Sequence, residues 1–107
     1  AQADRIPLPQ AVAALTSVPA NLAGLADRGR LVPGAKADIN LIDLARLQVH
    51  VPTVVHDLPA GGRRMFQDAQ GYIATIVSGE VIMENGKYTG AVPGKLIRGS
   101  QAAPQAA

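Results

Sequence analysis

The sequence predicts an α+β chain, with helices first and a small, mostly antiparallel sheet after them. Three observations carry that prediction. Val12, Leu15 and Val18 recur at helical spacing behind Pro9. Strand-forming residues then alternate with the pairs Ser78-Gly79 and Asn85-Gly86, both of which tolerate positive φ in a tight hairpin. No segment repeats, which excludes a solenoid or propeller.

The elements follow in order. Pro9 suits a helix start, where its missing N–H leaves no bond unmade, and the helix is expected over residues 9–17. Thr16, Ser17 and Pro19 break the run, with Ser17 expected to cap a second short helix. Gly24 stands where a left-handed residue closes that helix. Asp27-Arg28-Gly29 and Pro33-Gly34 read as turns, the latter of type II. Ile39, Leu41 and Ile42, between Asp38 and Asp43, read as a buried strand.

Residues 44–70 are poorly patterned, with Pro52, Pro59 and Gly61-Gly62, and read as a long excursion. A strand is expected over 72–77, a tight turn at Ser78-Gly79, the return over 80–84, and a second hairpin at Asn85-Gly86. Pro93-Gly94 is expected to turn the chain once more. "SQAAPQAA", residues 100–107, lacks bulky apolar residues and reads as a disordered end.

Composition excludes several classes. With 107 residues the chain makes one small domain. Its hydrophobic fraction is 48%, but only Phe66, Tyr72 and Tyr88 are aromatic, so any core rests on Leu, Ile and Val or on a partner's surface. Lysine and arginine exceed acidic residues by a net +2, and only Arg63-Arg64 cluster, which argues against nucleic acid. The absence of cysteine excludes disulfides and thiolate metal sites. No apolar run approaches the roughly 20 residues of a membrane span, and no signal-peptide pattern opens the chain, so a cytoplasmic location is expected. Ala1, rather than Met, stands first, as expected of a chain cut from something longer.

Taken together, the marks Thr16-Ser17, Pro19-Ala20, Gly24-Leu25, Asp27-Arg28-Gly29, Pro33-Gly34 and Ala37-Asp38 resemble the C-terminal passage of an amidohydrolase-superfamily enzyme. Asp57-Leu58-Pro59, Gly61-Gly62, Gly71-Tyr72, Asn85-Gly86, Thr89-Gly90, Pro93-Gly94 and Arg98-Gly99 resemble the ending of its D-aminoacylase (N-acyl-D-amino-acid deacylase) branch. The likeness implies that residues 1–30 are the last helices of a (β/α)8, TIM-type barrel and its exit turn. It implies that 31–99 are the C-terminal part of a small β-sandwich domain. "GAKADINLID", residues 34–43, becomes the entry into that sandwich.

The resemblance also implies a metal, usually zinc, in the parent barrel, held by an early His-x-His, a bridging carboxylated lysine or cysteine, two later histidines and an aspartate. The chain has no cysteine and only two histidines, so no catalytic, cofactor-binding or metal-binding residue carries over. The chain is then expected to be non-catalytic. Its partners would be the rest of the parent enzyme, or a second copy paired through open sheet edges.

Residue by residue, His50, His56 and Asp57 form the one local set with the chemistry of a metal or acid–base site. No helix aligns the histidines, and Asp57 would have to fold back beside its own neighbour, so a loop role is favoured. Gly61-Gly62-Arg63-Arg64 has the composition of an anion cradle, but no Lys-Ser/Thr follows, and a solvated turn is favoured. Asp27, Asp38 and Asp43 are expected in capping or turn roles. Two further readings stand beside the enzyme segment. One is a free-standing, non-enzymatic β-rich interaction module; the other, ranked last, is a small hydrolase using His50 or His56.

Overall fold

A computed structural model describes residues 6–105. Its order is helices α1 (Leu8–Leu15) and α2 (Ser17–Leu22), then strands β1 (Ile39–Ile42), β2 (Gln48–Val49), β3 (Thr53–Leu58), β4 (Gly62–Phe66), β5 (Ala69–Gln70), β6 (Tyr72–Val77), β7 (Glu80–Glu84) and β8 (Lys87–Tyr88). This is the α+β class read from the sequence. The chain divides into two compact units. The first holds the chain through Asp38, Val77–Glu80 and the chain from Pro93 on; the second holds Ile39–Ile76 and Val81–Val92.

In the first unit α1 starts one residue before the expected position and stops two before it, because Thr16 leaves helical geometry at φ −127°. The Thr16 hydroxyl donates back to the Val12 carbonyl at 2.7 Å. Thr16 therefore takes the cap position of α2, without a side-chain cap bond, and Ser17 lies inside the helix rather than capping it. The end of α2 is a Schellman turn: the Leu25 N–H reaches the Ala20 carbonyl at 2.8 Å, and the Gly24 N–H reaches Asn21 at 3.1 Å. The Ala35 N–H closes the Pro33-Gly34 turn onto the Val32 carbonyl at 3.1 Å.

Two expectations for the chain's end differ from what is found. No turn forms at Pro93-Gly94, and the chain there runs without regular structure. Residues 100–105, read from composition as disordered, run beside the Schellman turn: Gln101 bridges Leu25 in parallel, and its N–H meets the Gly24 carbonyl at 2.9 Å. Residues 106 and 107 lie outside the described residues.

The strand order of the main sheet, most of whose residues lie in the second unit, is β1-β6-β7-β8. β1 runs antiparallel to β6, with an irregularity between Leu41 and Ile42. Both hairpin turns use two successive positive φ angles, 52° and 81° at Ser78-Gly79 and 51° and 81° at Asn85-Gly86. That is the twist-matched type I′ geometry the pairs predict. β1 is not the buried strand expected, since Leu41 and Ile42 are 47% and 42% exposed.

The supposed excursion of residues 44–70 is mostly a second β structure. β2 pairs β5 and β3 pairs β4, both antiparallel, so one hairpin sits at the end of the other. Between Val49↔Ala69 and Thr53↔Phe66, and again between Val55↔Arg64 and Leu58↔Gly62, the outgoing strand carries one residue more than its partner. These bulges scatter the alternation that a sequence reading needs. Gly71 joins this arm to β6 at φ 100°, and a Cβ there would stand 2.6 Å from the Leu47 Cα.

Ala20, 8% exposed, is the one hydrophobic residue that is buried among those described. Large apolar side chains stand open in both units, Leu22 at 89% and Tyr88 at 85% among them.

Candidate functional site

The polar chemistry of the second unit gathers on the arm. The structure does not bring His50, His56 and Asp57 together: His50 bonds to Asp68 and Gln70, while His56 and Asp57 lie in the bulge of β3. Asp57 instead accepts two hydrogen bonds from Arg64, 2.7 Å from Nε and 2.5 Å from Nη2. The Arg64 guanidinium also lies 5.4 Å from the centroid of the Phe66 ring, two residues along β4. Arg64 lowers the Asp57 pKa through this pair, and Asp57 in turn raises that of Arg64.

That pairing also removes the anion cradle. Arg63 and Arg64 are consecutive on β4 and face opposite ways, and Arg64 is already engaged. Ala60 and Gly61, at φ 59° and 72°, form a turn rather than a nest aimed by two arginines.

His50 lies at the base of the arm. Its Nδ1 is 2.7 Å from Asp68 Oδ1, and its Nε2 is 3.3 Å from Gln70 Oε1. Its N–H donates to the Asp68 carbonyl at 2.9 Å, and Gln67 Nε2 donates to its carbonyl at 3.0 Å. Asp68, and then Gln70, raise the imidazole pKa, outweighing a smaller desolvation. Beside this cluster is an open groove of about 590 Å³, whose lining includes Asp43, Arg46, Phe66, Asp68, Tyr72 and Tyr88. Aromatic rings and charges of both signs meet there, but no nucleophile is paired with a base.

Asp27 and Asp38 make structural pairs, whereas the side chain of Asp43 makes no cap bond. Asp27 accepts from Arg28 at 2.9 and 3.1 Å, a pair that lowers its pKa. Asp38 accepts from Lys36 at 2.5 Å and from the Ser78 N–H at 3.0 Å, clasping the β6–β7 turn. Burial raises the Asp38 pKa, but the Lys36 and Ser78 hydrogen bonds outweigh it and the net shift is downward. Asp43 precedes the 3-10 turn Leu44–Arg46, whose Arg46 N–H meets the Asp43 carbonyl at 3.1 Å.

The zinc implied by the resemblance does not fit these residues. Among those described, no group of three or more His, Cys, Asp or Glu stands together. His50, the best placed, meets only one carboxylate, Asp68, and an amide, Gln70. Sequence reasoning missed Asp68, Gln70 and Arg64 as partners. Counting outward from the Pro59–Gly61 turn would have set His50 opposite Gln70, whereas the bulges place Gln48 there. No helix among the described residues is long and apolar enough to cross a membrane.

Three comparisons bear on this chain. The model of the amidohydrolase family matches residues 2–83. A dihydroorotase from Elusimicrobium minutum (strain Pei191) is 39% identical over 69 residues, which are 64% of this chain and 16% of that protein. The chain thus spans a small part of the relative's length. No solved structure matches it.

Proposed function

Because the chain belongs to the amidohydrolase family, we propose that it is the C-terminal structural part of a metal-dependent enzyme that hydrolyses an amide C–N bond. The observation that carries this reading is the family match over residues 2–83, set beside the 16% of the dihydroorotase's length that the chain spans. The open apolar surface supports it, since faces such as those of Leu22 and Tyr88 call for a cover. In this reading the cover is the rest of the enzyme, the metal sits in the barrel, and this segment is non-catalytic by itself.

For the substrate, the resemblance of residues 57–99 to the D-aminoacylase ending supports an N-acyl-D-amino acid. The relative named dihydroorotase favours a second reading, a cyclic amide opened by water. Both are amide hydrolyses, and one barrel framework supports many substrates.

The first test reads the coding DNA upstream of the Ala1 codon. A continuous frame of enzyme length with His-x-His near its start is expected. A stop codon just upstream would leave the free-standing interaction module as the reading. The enzyme so defined is then assayed with N-acetyl-D-amino acids and with dihydroorotate. Turnover of one class alone decides the substrate. Turnover of either by the 107-residue chain alone would sink the structural role.

A further inference from the structure

We propose that His50 is a pH-sensitive latch on the β3–β4 arm, fastened when its imidazole is protonated and loosened when it is neutral. This does not depend on the reaction proposed above.

The ladder of the arm is interrupted between Val49↔Ala69 and Thr53↔Phe66. Pro52 lies in the gap and has no N–H to offer a partner. His50 spans the interruption. Its backbone joins Asp68 and Gln67 by the two bonds at 2.9 and 3.0 Å, and its ring joins Asp68 and Gln70 at 2.7 and 3.3 Å.

Both ring nitrogens face acceptors, and only the imidazolium carries two N–H donors. The neutral ring satisfies one acceptor and presents a lone pair to the other. Loss of the proton therefore turns the Asp68 contact from charge-assisted to ordinary, and keeping the Gln70 contact requires that amide to turn over and give up its donation to Gln48. The charged groups around the ring are few. Asp68 touches it, while Asp43 and Arg46, of opposite sign, share the groove that Asp68 and Gln70 line. Gln48, bonded to Gln70 at 3.3 Å, is neutral. The direct Asp68 contact thus dominates and favours the cation.

The sign follows. A histidine whose folded pKa is raised contributes its stabilisation fully below the ordinary value of 6.5 and loses it as pH rises through the higher folded value. The ring is exposed, so it titrates without local unfolding. Because Asp68 and Gln70 also line the groove, the same proton sets the polarity of the groove wall.

The test is hydrogen exchange followed by mass spectrometry on the longest natural chain that contains this segment, from about pH 6 to 8.5, the span of histidine titration. Rates are corrected for intrinsic exchange. Peptides over residues 53–66 should lose protection by about threefold, the scale of one exposed hydrogen bond, as His50 deprotonates. Exchange of the imidazole carbon hydrogen gives the His50 pKa in the same samples, and the two midpoints should coincide. His50→Gln should flatten the step, and His56→Gln should leave it. Asp68→Asn keeps the ring and should move the step to lower pH, which tests the latch even if His50→Gln fails to fold. Arm protection that stays flat through the His50 titration, or a step that persists in His50→Gln, overturns the proposal.

Discussion

The main sheet and the arm are held in different ways. The sheet is set by its turns. Ser78-Gly79 and Asn85-Gly86 place positive φ where a twisted hairpin needs it, and strand lengths follow from them. The arm is set by side chains that meet across it, Asp57 with Arg64 and His50 with Asp68 and Gln70. Its own turn is poorer, with Ala60 at φ 59°, where an alanine is strained. Local chemistry thus determines one region, and partners far apart in sequence determine the other.

Four substitutions sharpen the contrast. The largest effect is expected at the junction of the two regions. Gly71→Ala forces a Cβ to 2.6 Å from the Leu47 Cα and 2.8 Å from its N, backbone atoms that cannot rotate away. Thermal unfolding should show a loss of about 3 kcal/mol, the range of a severe backbone clash with strain. A loss under about 1 kcal/mol, the cost of positive φ alone, would mean that arm and sheet are not tightly joined there.

Next come the turns, where the two regions should respond with opposite signs. Gly86→Val in the sheet should cost about 1–2 kcal/mol, because a β-branched residue resists φ 81°. Ala60→Gly in the arm should stabilise by about 0.5 kcal/mol, relief of strain less the added freedom of the unfolded chain. Equal signs in denaturant titrations would erase the distinction between a turn-set sheet and a side-chain-set arm.

The smallest effect is electrostatic. The folded Asp38 pKa lies below its ordinary value of 3.8, so its clasp on the Ser78 N–H is fully present above that pH and is lost as pH falls through the folded value. Amide exchange at Ser78 should rise there, by up to ~0.5 kcal/mol in protection for a partly exposed pair. Asp38→Asn should remove the acid dependence. The His50 latch has the opposite sign and loosens with rising pH, so one pH series separates the two devices.

Legibility in the sequence followed the range of the interactions. Both type I′ turns and the bounds of β6 and β7 were readable, because each depends on residues adjacent in the chain. The end of α2 was readable from Gly24, whose Schellman bonds span six residues. The start of α2 was misread at Ser17, because the Thr16 hydroxyl bonds backward to Val12 and no composition rule chooses between the two hydroxyls. The burial of β1 was misread because an apolar run states what a strand needs, not whether a covering layer is present. At the arm, two bulges and Pro52 hid the alternation, and the partners of His50 lie 18 and 20 residues away.

The sequence by itself determined the α+β order, the two hairpin turns and the absence of a cysteine or paired-histidine metal motif. These rest on local backbone preference and on which atoms the chain contains. Only the tertiary structure decided that residues 48–70 form a ribbon, that Asp57 meets Arg64, and that His50 meets Asp68. Such contacts depend on register across a hairpin, and a single bulge shifts every pairing beyond it.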